Sequence, residues 1–380
     1  MIRAQHPPRN DWQSKVEQLG LVYHTVDGHT YWDESAHYEF TPKEIDVLEK
    51  ATNELQEMCL KAAQHVIDAN RFSNLAIPVD VEPLIIKAWN AEPPSLYGRF
   101  DLAYDGIHPP RLLEYNADTP TSLLESAVIQ WFWMQELFPE ADQFNSIHEK
   151  LLEKYRDIEP HLEGAVLYFA HTEDTEDWMT IAYLRDAAEQ AGIRTSGILM
   201  HEIGWDSDRR CFTDMQEEEV RSIFKLYPWE WLIREKFGRE LIESYDRMQW
   251  IEPVWKMLWS NKGILPILWE LYPGHPNLLE ARFGDPGTMT EYVRKPLLSR
   301  EGANIKIVGR YGVVKEDTQG DYGDEGYIYQ ALAPLKRFDS NYPVIGSWVI
   351  DGAGCGIGIR ESPTMVTDNR SRFIPHVFRP

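Results

Sequence analysis

The chain has 380 residues, 38 Lys and Arg against 61 Asp and Glu, and a formal net charge of −23, with 43% apolar residues. That profile predicts a soluble globular protein with a large core, and 14 Trp, 18 Tyr and 14 Phe exclude a disordered chain. A net anion repels nucleic acid and anionic membrane surfaces, so any anionic ligand needs a local concentration of Lys and Arg.

The opening residues Met1 to Pro8 hold no apolar run, and no stretch approaches the length of a membrane helix. Both predict a cytoplasmic protein without a secretory leader. Cys59, Cys211 and Cys355 fall in no CxxC or Cys/His pattern, which predicts inert thiols and no zinc site. Thr41, Pro42 and Glu44 form a helix start, followed by Ile45, Leu48, Leu55, Met58, Ala62 and Val66 at helical spacing. Ser122 to Leu137 and His148 to Ile158 also read as helices, each stopped by a proline. From Ala165 the order is strand (165–170), helix (176–191), strand (195–200), the rhythm of a parallel βαβ lobe spanning roughly 160–205. A Trp-rich stretch, 228–272, reads as helical. Beyond Leu278, short strands and Gly-rich turns predict antiparallel sheet, with a hairpin turn at Ile350-Asp351-Gly352.

The segment from Ser95 to Asp118 carries the most chemistry. Asp105-Gly106 marks a turn between two strand-like runs, 96–104 and 111–115. Side chains alternate along a strand, so Arg99 and Asp101 share one face, and Glu114 and Asn116 share a face of its partner. If the register aligns them, a guanidinium, two carboxylates and an amide meet. That all-oxygen ligand set suits Mg²⁺, and Arg99 beside it suits a phosphoryl group. The same pattern also suits an ordinary polar sheet face with Arg99 paired to Asp101. Later come Trp259-Ser-Asn-Lys262 and Glu291 to Asn304, where Lys295 ends a strand and Gly302 lets backbone amides approach a phosphate. There is no Walker A loop, GxSxG elbow or HExxH motif, and the Gly-rich run 351–360 lacks the helix a dinucleotide fingerprint requires.

Taken together, Tyr97-Gly-Arg-Phe-Asp101, Leu113-Glu-Tyr-Asn-Ala-Asp118, Ser260-Asn-Lys262, Arg294-Lys-Pro296 with Ser299-Arg-Glu-Gly302, Tyr329-Gln330, Gly346-Ser-Trp348, Gly356 to Arg360 and Ser371-Arg-Phe373 form a specific series. The series resembles the C-terminal synthetase domain of the glutathionylspermidine synthase family, and above all its short bacterial acid–amine ligase members that lack the amidase domain. The resemblance covers nearly the whole chain. It implies a mixed α/β and α+β protein, an ATP-grasp fold preceded by a pre-ATP-grasp-like α/β lobe, with residues 255–380 and the 95–118 hairpin forming the nucleotide site. It also implies that ATP phosphorylates a carboxylate and that an amine attacks the acyl-phosphate.

Carried over by position, Arg99 is the catalytic residue that steadies the transferring phosphoryl group. Asp101, Glu114 and Asn116 bind Mg²⁺, as two ions. Arg99, Phe100 and Asp101 contact the nucleotide, Lys262 and Lys295 its phosphates or base, and the Gly302 loop closes over it. Gln330 lies at the adenine hinge, Met365, Val366 and Thr367 line the pocket, and Arg360 contacts phosphate or substrate. The chain departs from the family at Thr119-Pro120-Thr121, where the glutathionylspermidine synthases carry serines that help hold glutathione. The acidic run Glu173, Asp174, Glu176 and Asp177 reads either as a solvated helix start or as an attractor for an amine cation. The substrates expected are a small carboxylate, such as a peptide, and an amine, such as a polyamine. The alternatives are an ATP-binding protein without ligase activity and a hydrolase built on Asp101 and Glu114. The hydrolase leaves Arg99, Lys262 and Lys295 without a role.

Overall fold

A computed structural model of the chain describes residues 1–368 and 370–379. Three sheets position the site. The central one is antiparallel, in the order Arg372–Ile374, Ala353–Ser362, Tyr342–Ile350, Tyr97–Ala103, Arg111–Asn116. The expected hairpin is therefore its edge pair, and Tyr97–Ala103 is buried along its whole length against a strand about 250 residues later in the chain. The connection from Tyr104 to Pro110 is longer than a tight turn. Asp105 organises it by accepting from the Ile107 and His108 amides at 2.8 Å each. Asp351-Gly352 is the expected two-residue turn, with φ of 51° and 76°, the left-handed pair such a hairpin requires.

The βαβ lobe is present and larger than expected. Leu167–His171 pairs in parallel with Thr195–Leu199 through the helix Thr175–Gln190, and Ser222–Lys225 and Gln249–Ile251 extend the sheet on its other side. Leu167–His171 and Ser222–Lys225 are buried throughout, as central parallel strands covered on both faces are. Gln249–Ile251 corrects the helical reading of 228–272. Only the short helices Trp229–Leu232, Gly238–Glu243 and Ile264–Leu271, with 3₁₀ turns, form there. The Ser122 to Leu137 reading holds as a helix, with a π-helical turn at Glu125–Ile129 leading into the α-helix Gln130–Leu137.

The third sheet is antiparallel, in the order Ala281–Phe283, Tyr327–Ala331, Tyr292–Pro296, Lys306–Val308, Val314–Asp317. The long helix Pro42–Asp68 begins as expected. Thr41 and Glu44 exchange side-chain and backbone hydrogen bonds in a capping box, and Leu48, Leu55, Cys59, Ala62 and Val66 are fully buried under the central sheet and the helix Ile264–Leu271. Truncating one such leucine costs about 2–5 kcal/mol. All three cysteines are free and buried. Among the described residues, no helix is long and apolar enough to cross a membrane.

Candidate active site

The hairpin register settles the question the alternation left open. Arg99 pairs with Asn116 and Asp101 with Glu114, so all four side chains face one cavity of about 400 Å³ between the central and third sheets and the parallel lobe. A bulge follows at once: the next pair is Leu102 with Leu112, leaving Leu113 as the extra residue. The carbonyls it exposes are taken by the third sheet. Lys295 Nζ donates to Leu113 O at 2.9 Å, and Gln330 Nε2 donates to Leu112 O at 2.9 Å. Lys295 also donates to Gln330 Oε1 at 2.7 Å.

Arg99 is buried and held from several sides. Its Nε donates to Asp101 Oδ1 at 2.7 Å, and its Nη1 to Thr121 O at 2.6 Å. Gly346 leaves the space it occupies, since a Cβ there would come within 2.8 Å of Arg99 Cδ. Arg360 Nη2 reaches Asp101 Oδ2 at 3.4 Å and Asn116 Nδ2 donates to the same oxygen at 3.2 Å. The expected Arg99–Asp101 pair is thus real, yet it lies in the cavity wall rather than on an exposed face. Glu114 Oε2 meets Lys262 Nζ at 3.0 Å. Burial pushes the Glu114 carboxyl up, but Lys262 and then Lys295 outweigh it and hold it well below the usual carboxylate range. Burial lowers Lys295 to about 8, with Glu114 opposing.

The phosphate-loop reading of Ser299 to Asn304 gains two supports. Gly302 has φ of 69°, and a Cβ on it would come within 2.5 Å of Thr367 O, so the loop seats directly on the Met365–Thr367 segment. Ser299 Oγ and Arg300 Nε are buried with no protein partner, although both residues line the cavity. Donors left unmade at that depth are costly, and an anion would satisfy them. Above the loop, Val293, Ile305, Ile307, Leu332, Met365 and Val366 form a separate apolar cluster lining the same cavity.

Phe100 is the one expected site residue whose side chain lies elsewhere. By strand alternation it points to the opposite face and stacks on Tyr115, ring centroids 3.8 Å apart, in the core. Asp174, Glu176 and Asp177 line the cavity, and Glu173 does not. Asp174 caps the helix by accepting from the Glu176 and Asp177 amides, while burial raises the carboxyls of Glu176 and Asp177. Thr119, Pro120 and Thr121 line the same end. Among the described residues, no three His, Cys, Asp or Glu side chains gather as a metal-ligating group. The hairpin instead offers two carboxylates and an amide, a set suited to Mg²⁺, which completes its shell with water and phosphate oxygens.

Four contributors were missed in the sequence. Arg300 was visible only as part of its loop. It donates from Nη1 to Thr119 Oγ1 at 2.8 Å and from Nη2 to Glu230 Oε1 at 2.7 Å, tying the loop to the parallel lobe. Glu316 accepts from the Met365 amide at 2.7 Å and the Val366 amide at 3.1 Å. Lys225 Nζ lies 2.6 Å from Asp118 Oδ1, both fully buried. Glu125 is buried with Oε1 unpartnered, and burial raises it to about 7. Arg300, Glu316 and Lys225 act through partners distant in the chain, which no local pattern names.

A family model described as glutathionylspermidine synthase preATP-grasp matches residues 3–379. The chain belongs to the glutathionylspermidine synthase family. A Haemophilus influenzae protein named as an acid–amine ligase is 40% identical, the match covering 98% of each chain. Trypanothione synthetase of Crithidia fasciculata is 28% identical over 84% of this chain and 53% of its own length. The bifunctional glutathionylspermidine synthetase/amidase of Escherichia coli is 28% identical over 96% of this chain and 63% of its own. The chain thus spans between half and two thirds of those two larger family members. A glutathione synthetase-like effector from Globodera pallida superposes with a TM-score of 0.63 over 97% of this chain and 96% of its own, at 10% identity. The fold is therefore the mixed α/β, ATP-grasp-related architecture expected of the family.

Proposed function

We propose that the chain is an ATP- and Mg²⁺-dependent carbon–nitrogen ligase that joins a small carboxylate, such as a peptide, to an amine, such as a polyamine. The observation that carries this reading is the register setting Arg99 opposite Asn116 and Asp101 opposite Glu114, in one cavity with Lys262 and Lys295. The names of the family members above describe the same class of reaction. In this reading the 95–118 hairpin and residues 255–380 form the nucleotide site, and the parallel lobe forms the acceptor wall.

The apolar slot takes the adenine, with Gln330 and the backbone at Met365–Thr367 at its edges, while Lys262, Lys295, the Ser299–Gly302 loop and Arg360 hold the phosphates. Asp101, Glu114 and Asn116 would hold Mg²⁺, which when bound supplies positive charge to the phosphate oxygens. A substrate carboxylate oxygen bonds to the γ-phosphorus as the bond to the ADP oxygen breaks, giving an acyl-phosphate. Arg99 offsets the charge that develops on the transferring group. The amine nitrogen then displaces phosphate and loses a proton, leaving the amide. Asp174, Glu176 and Asp177 suit the attraction of an amine cation to that end of the cavity.

The test is mass spectrometry of a metabolite extract incubated with protein, ATP and Mg²⁺, with Arg99→Ala as the blank. The expected product has the mass of one acid plus one amine less water, with ADP released in equal amount. Tight ATP binding with no such product from any acid–amine mixture would instead make the chain a nucleotide-binding protein without ligase activity.

A further inference from the structure

The parallel lobe brings two different walls to the cavity from adjacent strands. Its strand order is Gln249–Ile251, Ser222–Lys225, Leu167–His171, Thr195–Leu199. From Leu167–His171 the chain goes first to the neighbour on one side and later to the neighbour on the other, so the winding reverses between Leu167–His171 and Ser222–Lys225. In open parallel sheets, ligands bind in the crevice beyond the carboxyl ends of such a strand pair. Asp174, Glu176 and Asp177 follow the first strand, Leu226, Tyr227 and Trp231 follow the second, and all six line the cavity. The Leu226 amide donates to Ala170 O at 2.8 Å, so the two segments leave the sheet side by side.

Trp231 is 38% exposed, and among the described residues it is the one exposed large apolar side chain that lines this cavity. Scattered apolar residues on an outer surface are ordinary, but an indole left wet inside a cleft gains when a ligand covers it. Its place is fixed. The turn of helix that carries it, Trp229–Leu232, is pinned where the Trp229 amide donates to Asp118 Oδ2 and Trp229 Nε1 donates to Glu252 O, both at 3.0 Å. Tyr227 meets the Trp231 ring edge-on, centroids 5.5 Å apart. A ligand therefore finds this wall preformed and reorders little.

The acidic wall sets the sign of the ligand. Tyr23 also lines the cavity and stands against that wall: burial, and then the charges of Glu176 and Asp174, raise its phenol to about 12. The guanidinium groups on this side are matched already, Arg300 by Glu230 at 2.7 Å and Arg360 by Asp101 at 3.4 Å. An anionic group arriving here would meet carboxylates, whereas an ammonium would find carboxylates and ring faces together. The rings themselves favour a neutral body. The Arg300 guanidinium lies 5.6 Å from the centre of the Trp231 ring, and a second ammonium over that ring would be repelled by it.

We propose that this crevice selects the amine partner, and that it takes a primary amine carrying an aryl group, its ring against Trp231 and Tyr227 and its ammonium on the Asp174, Glu176 and Asp177 side. The inference deepens the ligase reading and rests on it for what the bound amine then does. Trp231 is the specificity-determining residue.

The experiment is a ligand-observed NMR titration of the full-length protein with phenethylamine. Cadaverine is the amine without a ring, phenethyl alcohol is the ring without a charge, and each is titrated with and without Mg²⁺ and a non-hydrolysable ATP analogue. Wild type should bind phenethylamine about tenfold more tightly than either. Trp231→Ala should weaken phenethylamine by about tenfold and leave cadaverine little changed, and Trp231→Phe should recover most of the loss. Glu176→Gln combined with Asp177→Asn should abolish the advantage over phenethyl alcohol, with thermal denaturation checking that each variant is folded. Tighter binding of cadaverine, unchanged phenethylamine binding in Trp231→Ala, or no saturable binding under either condition would overturn the proposal. An advantage over the alcohol that survives the double substitution would overturn the placement of the ammonium. Product formation in the metabolite extract is read separately from binding, so failure of the ligase reading and failure of this one are told apart.

Discussion

Lys262 Nζ lies 3.0 Å from Glu114 Oε2 and 2.6 Å from the carbonyl of Ser299, so one ammonium joins the hairpin to the Ser299–Gly302 loop. A metal ion on Glu114 would compete for the same carboxylate and leave Lys262 for a phosphate oxygen. Lys262→Met should therefore weaken ATP binding about ten- to a hundredfold, the worth of a charge-assisted contact. It should tighten Mg²⁺ binding in the absence of ATP, because Glu114 loses its competitor. Isothermal titration of each ligand checks both signs, and an unchanged ATP affinity would remove Lys262 from the phosphate contacts.

The lowered pKa of Lys295, about 8, makes a pH dependence specific. In the proposed reading Lys295 would be a cation toward the nucleotide below that value and neutral above it. KM for ATP should rise as pH goes from about 7 to 9, while Lys295→Arg, which does not titrate there, should give a flat profile. A wild-type profile already flat over that range would show that Lys295 stays charged or does not contact ATP.

Glu316 holds the Met365–Val366 segment, the proposed edge of the adenine site, by accepting from both amides. Glu316→Ala frees that segment, so KM for ATP should rise about tenfold with kcat little changed, and Glu316→Gln, which keeps one acceptor, should recover part of the loss. A fall in kcat at constant KM would place the effect in the transferring group instead.

Asp118 and Lys225 form an ion pair with both side chains at 0% exposure, and Asp118 Oδ2 also accepts from the Trp229 amide at 3.0 Å. Burial raises the Asp118 carboxyl and lowers the Lys225 ammonium. Lys225→Met should destabilise by about 3–5 kcal/mol, since it strands a buried carboxylate, and adding Asp118→Asn should restore much of that. Chemical denaturation of the single and double variants measures the difference. Equal stability of wild type and Lys225→Met would mean Asp118 is already neutral.

Glu125 has a folded pKa of about 7, raised by burial from an ordinary 4.5. A raised carboxyl is protonated more readily in the folded state, so this group's contribution to stability is fully present below pH 4.5 and is lost as pH rises through 7. The decline amounts to about 3 kcal/mol. Glu125→Gln should remove it, leaving the variant more stable than wild type at pH 8, as urea unfolding at several pH values will register.

The legible part of this protein was the part written locally. The Thr41–Glu44 capping box, the βαβ rhythm after Ala165 and the Asp351-Gly352 turn each depend on neighbours a few residues away, and each is present. The hairpin faces were legible from alternation, but alternation gave no register. The bulge at Leu113, which turns two carbonyls toward Lys295 and Gln330, follows from packing against another sheet. Phe100 was gathered into the site by its position in a motif, although its parity on the strand already sent it the other way. Gln249–Ile251 went unread because three residues in a Trp-rich stretch carry too little periodicity to separate strand from helix. Arg300, Glu316 and Lys225 meet partners between 49 and 181 residues away, and only tertiary structure brings them together.

The pairing of Tyr97–Ala103 with Tyr342–Ile350 has a kinetic side. No nascent chain can align Arg99 with the strand that makes room for it until about 250 further residues have emerged, and closing so long a loop is among the slower steps a folding chain takes. During refolding from denaturant, ATP binding should then lag behind the recovery of helical signal, and its appearance times the last stage of assembly.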